Sequence, residues 1–334
     1  MVLGYDGLDL QADYWDAPQD SSRFTSQPAD LVELTRFLND DFNGNRVIID
    51  CSASQEVADM YPRWLALGIH VITANKKAGS GPSELYNDCR QAQEGASAQW
   101  YYETTGPGSG LPVLCTLKDM VQSGDTVHKV EGIFSGTISY LTNAVAAGLP
   151  LSEALLQAHA LGLCEPDPRD DLTGLDVRRK IVVLARELGL SLELADVITE
   201  QLMPVELSDW EPDTSDNAQP LIEQLSAALA AYDERLTACV TEAADNGMKL
   251  VPLGSVDLST GIASVTMTPL PISSRLTRAE ANDNIIAISS ERYSPQPLII
   301  QGPGAGCEIT ASGLFGDMLA LSRTLVEWTI PKIE

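Results

Sequence analysis

Residues 163–180, LCEPDPRDDLTGLDVRRK, carry nine charged side chains in eighteen, against 20% for the whole chain. Asp176 and Lys180 are four apart, so on a helix they share one face. Beside them Val177, Ile181, Leu184 and Leu188 repeat as an apolar stripe. Thr173 with Asp176 has the spacing of a capping pair ahead of that stripe. Glu165 sits in a loop stiffened by Pro166 and Pro168 that is able to fold back over the helix start. Two carboxylates and an ammonium so arranged can clamp a small zwitterion and leave a lysine for proton transfer. The plainer alternative is a solvated helix start with a surface ion pair worth about 0.3–0.5 kcal/mol.

Lys76 and Lys77, in TANKKA at 73–78, are two of only seven lysines in the chain. They fall just beyond a strand end, as either a solvated loop or a tuned acid–base group. ETTGPGSGLP at 103–112 and QGPGAG at 301–306 are glycine-rich turns that let backbone approach a ligand closely. Most such turns are only turns.

These residues need elements to hold them. PADLVELTRFLND reads as an amphipathic helix, and NRVIIDCSAS as a buried strand running into a tight loop. EVADMYPRWLALGI reads as a helix, HVITAN as a strand, SGPSELYNDCRQAQEGA as a helix and AQWYYET as a strand. That alternation predicts a parallel, doubly wound sheet, with ligands beyond the C-terminal strand ends. Those ends carry 51–54, 75–77 and 103–110. After Pro112 the spacing predicts a helix over 113–123, a strand at HKVEGIFSG, then helices at SYLTNAVAAG, LSEALLQAHALG and 171–188. A long helical stretch, interrupted or not, covers 219–246. From 249 the pattern predicts antiparallel strands of a second sheet, closed by a helix at SGLFGDMLALSRTLVEW.

Composition narrows the field. A chain of 334 residues, 44% hydrophobic, suits two or three domains with real cores. It has no apolar run of about 18 residues, so no membrane span is expected. The start, MVLGYDGLDLQADYWD, lacks the basic-then-apolar order of a signal peptide. Cys51, Cys89, Cys115, Cys164, Cys239 and Cys307 form no CxxC pair, and three scattered histidines add no metal pattern. Reduced thiols in a cytoplasmic protein are expected. A net charge of −26 argues against nucleic acid or an anionic membrane as partner, and otherwise favours solubility.

Taken in order, EPDPRDDLTGLDVRRK, the TANKKA loop, EGIFSGTISY and the GPGAG…TASG end resemble the homoserine dehydrogenase family. The resemblance is strongest to the dehydrogenase part of bifunctional aspartokinase–homoserine dehydrogenases, and the stretch GYDGLDL is also similar to theirs. It implies reduction of L-aspartate 4-semialdehyde to L-homoserine with NADP or NAD as cofactor, in threonine and methionine synthesis. It implies that Lys180 and Lys76 are catalytic and that Glu165, Asp171 and Asp176 bind substrate. It places Ser52, Lys76 and Gly304 against the cofactor and assigns Glu103 to a monovalent cation such as sodium. It also implies a homodimer or larger homo-oligomer. The expected fold is α/β: a truncated Rossmann-like parallel sheet over 1–110 with 306–334, and an α+β catalytic and dimerisation domain over 111–305.

The pattern departs from the family in two places. No GxGxxG turn, which would put backbone N–H groups on a pyrophosphate, precedes the first strand. NAD and NADP are therefore not distinguished, and the chain reads as a fragment lacking that turn and any kinase part. The 103–112 loop is one residue longer than the family's E-x-x-V-G-A-G-L-P, which weakens the transfer of the cation site to Glu103. Two other readings stay open: a non-catalytic relative that binds an amino acid or a dimer partner, and a different semialdehyde reductase on the same scaffold.

Overall fold

The structure is a computed structural model that describes residues 2–3, 25–26, 30–40, 44–165, 167–215, 218–279 and 283–325. GYDGLDL, Pro166 and the end of the expected last helix lie outside them. A short antiparallel pair, β1 (Val2–Leu3) with β2 (Thr25–Ser26), precedes helix α1 (Leu31–Asp40). Three parallel strands follow in the order β3 (Arg46–Asp50), β4 (Ile69–Thr73), β5 (Trp100–Tyr101). β4 is buried at all five positions, as expected of an apolar, β-branched strand covered on both faces.

The expected helix between β3 and β4 is two helices, α2 (Gln55–Ala58) and α3 (Tyr61–Ala66). Pro62 sits in the first turn of α3, where its missing N–H costs nothing, and so marks a new start. α4 (Lys77–Ser80) and α5 (Ser83–Gly95) return the chain to β5. Tyr61, Trp64 and Trp100 form an aromatic core, and Trp64 Nε1 donates to Thr35 Oγ1 at 2.7 Å, which ties α1 to α3.

The remainder is built on a six-stranded sheet whose strands lie in the order 298–303, 283–290, 127–133, 248–257, 262–271 and 198–199. α6 (Leu114–Gln122) leads to β6 (Val127–Ile133), and α7 (Gly136–Ala146), α8 (Leu151–Ala160), α9 (Pro168–Leu172) and α10 (Leu175–Glu187) follow. β7 (Ile198–Thr199) lies parallel to β9 (Ile262–Pro271); the other pairings in this sheet are antiparallel. The long stretch at 219–246 is α11 (Leu221–Leu229) and α12 (Asp233–Asp245), separated by a 3-10 turn at Ala230–Tyr232. β8 (Met248–Asp257), β10 (Asp283–Ser290), β11 (Leu298–Pro303) and α13 (Cys307–Leu325) complete the described chain. α13 reaches back to the first sheet: Asp317 Oδ2 accepts the Glu103 N–H at 3.0 Å.

The segment 171–188 is also not one helix. Gly174 has φ +70, a left-handed conformation that ends α9 and starts α10. Thr173 Oγ1 donates to the Arg169 carbonyl at 2.8 Å, so it closes α9 and does not cap α10 with Asp176. Asp176 is thereby free for the lysines. Val177, Ile181 and Leu184 bury the expected stripe, and Lys180 is buried beside it.

Phe134, just beyond β6, is fully buried between two glycines that face each other across the β6–β8 pair. A Cβ on Gly254 would lie 2.4 Å from Phe134 Cδ2, and one on Gly132 would lie 2.9 Å from Phe134 Cε1. Gly254→Ala should therefore cost about 1–3 kcal/mol of stability through overpacking. Urea unfolding of the two proteins measures it, and an unchanged midpoint would contradict the packing described.

Candidate active site

A cleft of about 420 Å³ opens where the C-terminal ends of the parallel strands meet the second sheet. Cys51, Ala74 and Thr104 line it from the first sheet, Gly136 and Thr137 from the start of α7, and Gly304–Cys307 from the turn before α13. Five of the residues singled out in the sequence converge here: Lys76, Glu165, Asp171, Asp176 and Lys180. They come from the loop after β4, the loop before α9, α9 and α10: the parallel sheet delivers Lys76 while the turn at Gly174 aims α10 at the same point.

Asp176 is the centre of the cluster. Its Oδ2 lies 2.6 Å from Lys180 Nζ and its Oδ1 3.2 Å from Lys76 Nζ. Lys180 Nζ also donates to the Phe134 carbonyl at 3.0 Å. Lys76 Nζ lies 3.7 Å from Glu165 Oε1. The side chains of Asp176 and Lys180 are 6% and 7% exposed, while Lys76 and Glu165 face the opening at 21% and 37%. Burial alone would raise the Asp176 pKa, but the ammoniums of Lys180 and Lys76 hold it well below the ordinary carboxylate range. Asp176 in turn raises the Lys76 pKa against the effect of burial, so Lys76 is a stable cation. Burying charges in this way contributes little net stability and points to a use in the cleft.

Asp171 is different in character. Its Oδ2 accepts the Glu165 N–H at 2.8 Å, which fixes the loop carrying Glu165. Burial, reinforced by the charges of Asp176 and Glu165, pushes its pKa up to about 7. Cys164 beside it is pushed up to about 12 by burial, so its thiol is inert at neutral pH.

Lys76 owes its place to a buried polar network at the strand ends. Tyr61 Oη donates to Asp50 Oδ2 at 2.5 Å and is 2.8 Å from Thr73 Oγ1. Asn75 Nδ2 donates to Asp50 Oδ2 at 3.0 Å and to the Ser54 carbonyl at 2.8 Å. Thr73 and Asn75 stand inside TANKKA, but nothing in the sequence linked them to Asp50 or Tyr61. The Phe134 carbonyl was equally invisible, because a backbone acceptor leaves no mark in residue types.

Three further residues need placing. Ser52 is exposed at the end of β3, its N–H donating to Asp50 Oδ1 at 2.7 Å, and its neighbour Cys51 lines the cleft instead. Gly304 lies in the cleft wall. Glu103 makes contacts that the sequence did not suggest. Its oxygens accept the N–H groups of Val113, Leu114 and Cys115, each at 2.7 Å. The carboxylate assigned by resemblance to a cation is thus engaged by the first turn of α6. Among the described residues no group of three His, Cys, Asp or Glu is placed to hold a metal ion.

The raised pKa of Asp171 has a stability consequence. A carboxyl that binds its proton more tightly when folded contributes stability below its ordinary value of 3.8, and loses it as pH rises through about 7. Asp317, also at about 7 through burial, acts the same way. Asp171→Asn keeps the acceptor for Glu165 N–H and removes one of the two. The loss of unfolding free energy between about pH 4 and about pH 7 should therefore be shallower in this variant than in the parent. Equal slopes would contradict the environment described.

The likeness to known proteins agrees with this geometry. Residues 112–319 match the family model for homoserine dehydrogenase, and residues 6–103 match that for the homoserine dehydrogenase NAD binding domain. The chain is 39% identical over 326 residues to a chloroplastic bifunctional aspartokinase/homoserine dehydrogenase 1 of Zea mays, a match that covers 97% of this chain and 34% of the maize protein. It thus spans about a third of the length of that relative. It is 38% identical to the homoserine dehydrogenase of Emericella nidulans, over 84% of this chain and 77% of the fungal one. A crystal structure of a Candida auris protein of unknown function superposes with a TM-score of 0.80 at 31% identity, over 90% of this chain and 82% of that one. Two matching family models and a relative of comparable length lead to one conclusion: the chain belongs to the homoserine dehydrogenase family.

Proposed function

We propose that this chain reduces L-aspartate 4-semialdehyde to L-homoserine, with NADPH or NADH as the reductant. One observation carries the reading: a buried carboxylate, Asp176, holds two lysine ammoniums against a cleft at the ends of parallel strands. Gly304, with no side chain, and the strand-end residues Cys51, Ala74 and Thr104 fit the flat nicotinamide end of the cofactor. When bound, that cofactor supplies the hydride.

The chain's own residues do the rest. Lys180 is held from two sides, by Asp176 and by the Phe134 carbonyl, which leaves its remaining N–H for the substrate's carbonyl oxygen. As hydride reaches the carbonyl carbon, negative charge grows on that oxygen. The Lys180 ammonium stabilises the charge and transfers a proton to it, giving the alcohol. Solvent reprotonates the amine. Lys76, kept cationic by Asp176, adds a second positive charge nearby and prevents Asp176 from drawing the Lys180 proton to itself. Glu165, the more exposed carboxylate, receives the α-ammonium of the substrate, and the Asp171–Glu165 hydrogen bond sets where it stands. Removal of bulk water from so small a cleft strengthens each of these interactions.

The same proposal includes a homodimer, which rests on the family resemblance, and a reducing cytoplasmic setting, supported by six free thiols. No helix among the described residues is long and apolar enough to cross a membrane.

NADPH oxidation with L-aspartate 4-semialdehyde tests the reading. Lys180→Ala should lower kcat by about 10³-fold, the scale of a lost general acid. Glu165→Gln should act mainly on KM for the semialdehyde. A folded chain without turnover, or a Lys180→Ala variant as active as the parent, would overturn the proposal.

A further inference from the structure

Asn284, the second residue of β10, is fully buried, and among the described residues neither its Oδ1 nor its Nδ2 meets a hydrogen-bond partner. A native interior rarely leaves both halves of an amide unpaired, because each half loses its water on burial and gains nothing in return. The position of this unpaired amide is informative. In the β10–β6 ladder Ile285 faces Ile133, so one residue further along places Asn284 opposite Phe134, whose carbonyl holds Lys180. On the other side Asn284 faces Gly302 of β11. The chain leaving β11 then passes directly over the amide: a Cβ on Gly304 would lie 2.1 Å from Asn284 Oδ1 and 2.6 Å from Nδ2. Asn284 therefore touches the backbone of the turn that walls the cleft, from a strand that adjoins the Lys180 anchor.

That turn is built to reorient. Gly304 and Gly306 flank Ala305, and Gly306 already stands at φ +122. Peptides beside glycine rotate at low cost. The Gly304 carbonyl accepts from the hydroxyl of Ser109 at 3.2 Å, a long and easily exchanged contact.

We propose that Asn284 is a positioning residue: its amide captures the backbone of the Gly304–Gly306 turn when a nicotinamide cofactor fills the cleft. Rotation of one peptide in the turn brings an N–H or a C=O onto the waiting amide. The hydrogen bond then exists only in the liganded state, so it contributes to cofactor binding and not to folding. Gly304 is required because Asn284 occupies the space of any side chain there. The inference rests on the cofactor assignment made above.

Asn284→Leu removes both polar atoms and keeps the branching and heavy-atom count of the side chain. The ligand-free Tm should stay the same or rise, since no hydrogen bond is lost. NADPH affinity, followed by the cofactor-induced shift in Tm, should weaken by about tenfold, the size of one well-made hydrogen bond. In the parent protein, NADPH should slow amide hydrogen exchange over 302–307, and this protection should vanish in the variant. A lower ligand-free Tm would show that the amide is already paired, by a buried water for example, and would overturn the proposal. So would parent-like affinity and protection in the variant. Exchange over 302–307 that NADPH leaves unchanged in the parent, despite a cofactor-induced Tm shift, would overturn it without any variant. A parent that shows no NADPH-induced shift at all would instead sink the cofactor assignment, and this inference with it.

Discussion

A single carboxylate between two ammoniums sets what the surrounding fold has to achieve. Asp176 cannot sit in the interior as an anion unless both lysines reach it, and the lysines cannot be buried without it. Lys180 arrives along the same helix by simple i,i+4 spacing. Lys76 arrives from a different sheet, at the end of a strand fixed in three dimensions by Asp50, Tyr61, Thr73 and Asn75. The two halves of the molecule are thus registered against each other to within the reach of an ion pair. Nonpolar packing alone would not demand that accuracy, because a core tolerates small slides that a buried charge does not.

Backbone devices supply the accuracy. The left-handed Gly174 separates two helices that would otherwise run on, and this turns the Asp176–Lys180 face into the cleft. Gly132 and Gly254 leave room for the Phe134 ring, which in turn fixes the carbonyl that Lys180 uses. None of these glycines touches the cleft's charged groups. Each determines where a polar atom stands by removing an alternative position for its neighbour.

Much of this was legible in the sequence, and the illegible part has a common cause. The alternation of strands and helices up to residue 110 pointed to the parallel sheet, because burial on both faces forces continuous apolar strands. The charge density around 163–180 pointed to the cluster, because so many opposed charges ahead of an apolar stripe are unusual. Element breaks were missed where a single residue decides them: Pro62 within α3 and Gly174 before α10, while the stretch 219–246, left open as to interruption, is broken by the 3-10 turn between α11 and α12. Periodicity averages over a window and passes through such points. The capping assignment of Thr173 failed for the same reason, since spacing alone does not reveal that the helix has already ended. Glu103 was assigned to a cation by resemblance alone, and the three backbone N–H groups that its carboxylate accepts lie ten to twelve residues away, beyond the reach of local pattern. Phe134 and Asn284 left no signal at all, one acting through a carbonyl and the other resembling any polar residue near a strand start.

The engagement of Glu103 bears on how the molecule can move. This residue stands at the border between the nucleotide-binding sheet and the rest of the chain, where a flexible joint is often found in two-part enzymes. Here the border is clamped. Charge-assisted hydrogen bonds run forward from Glu103 to the first turn of α6, and Asp317 holds its N–H from α13. Bending at this joint would break all of them at once. These bonds tie the last residues of the parallel sheet, the start of α6 and α13 to one side chain, so a change of angle at this point carries all three with it.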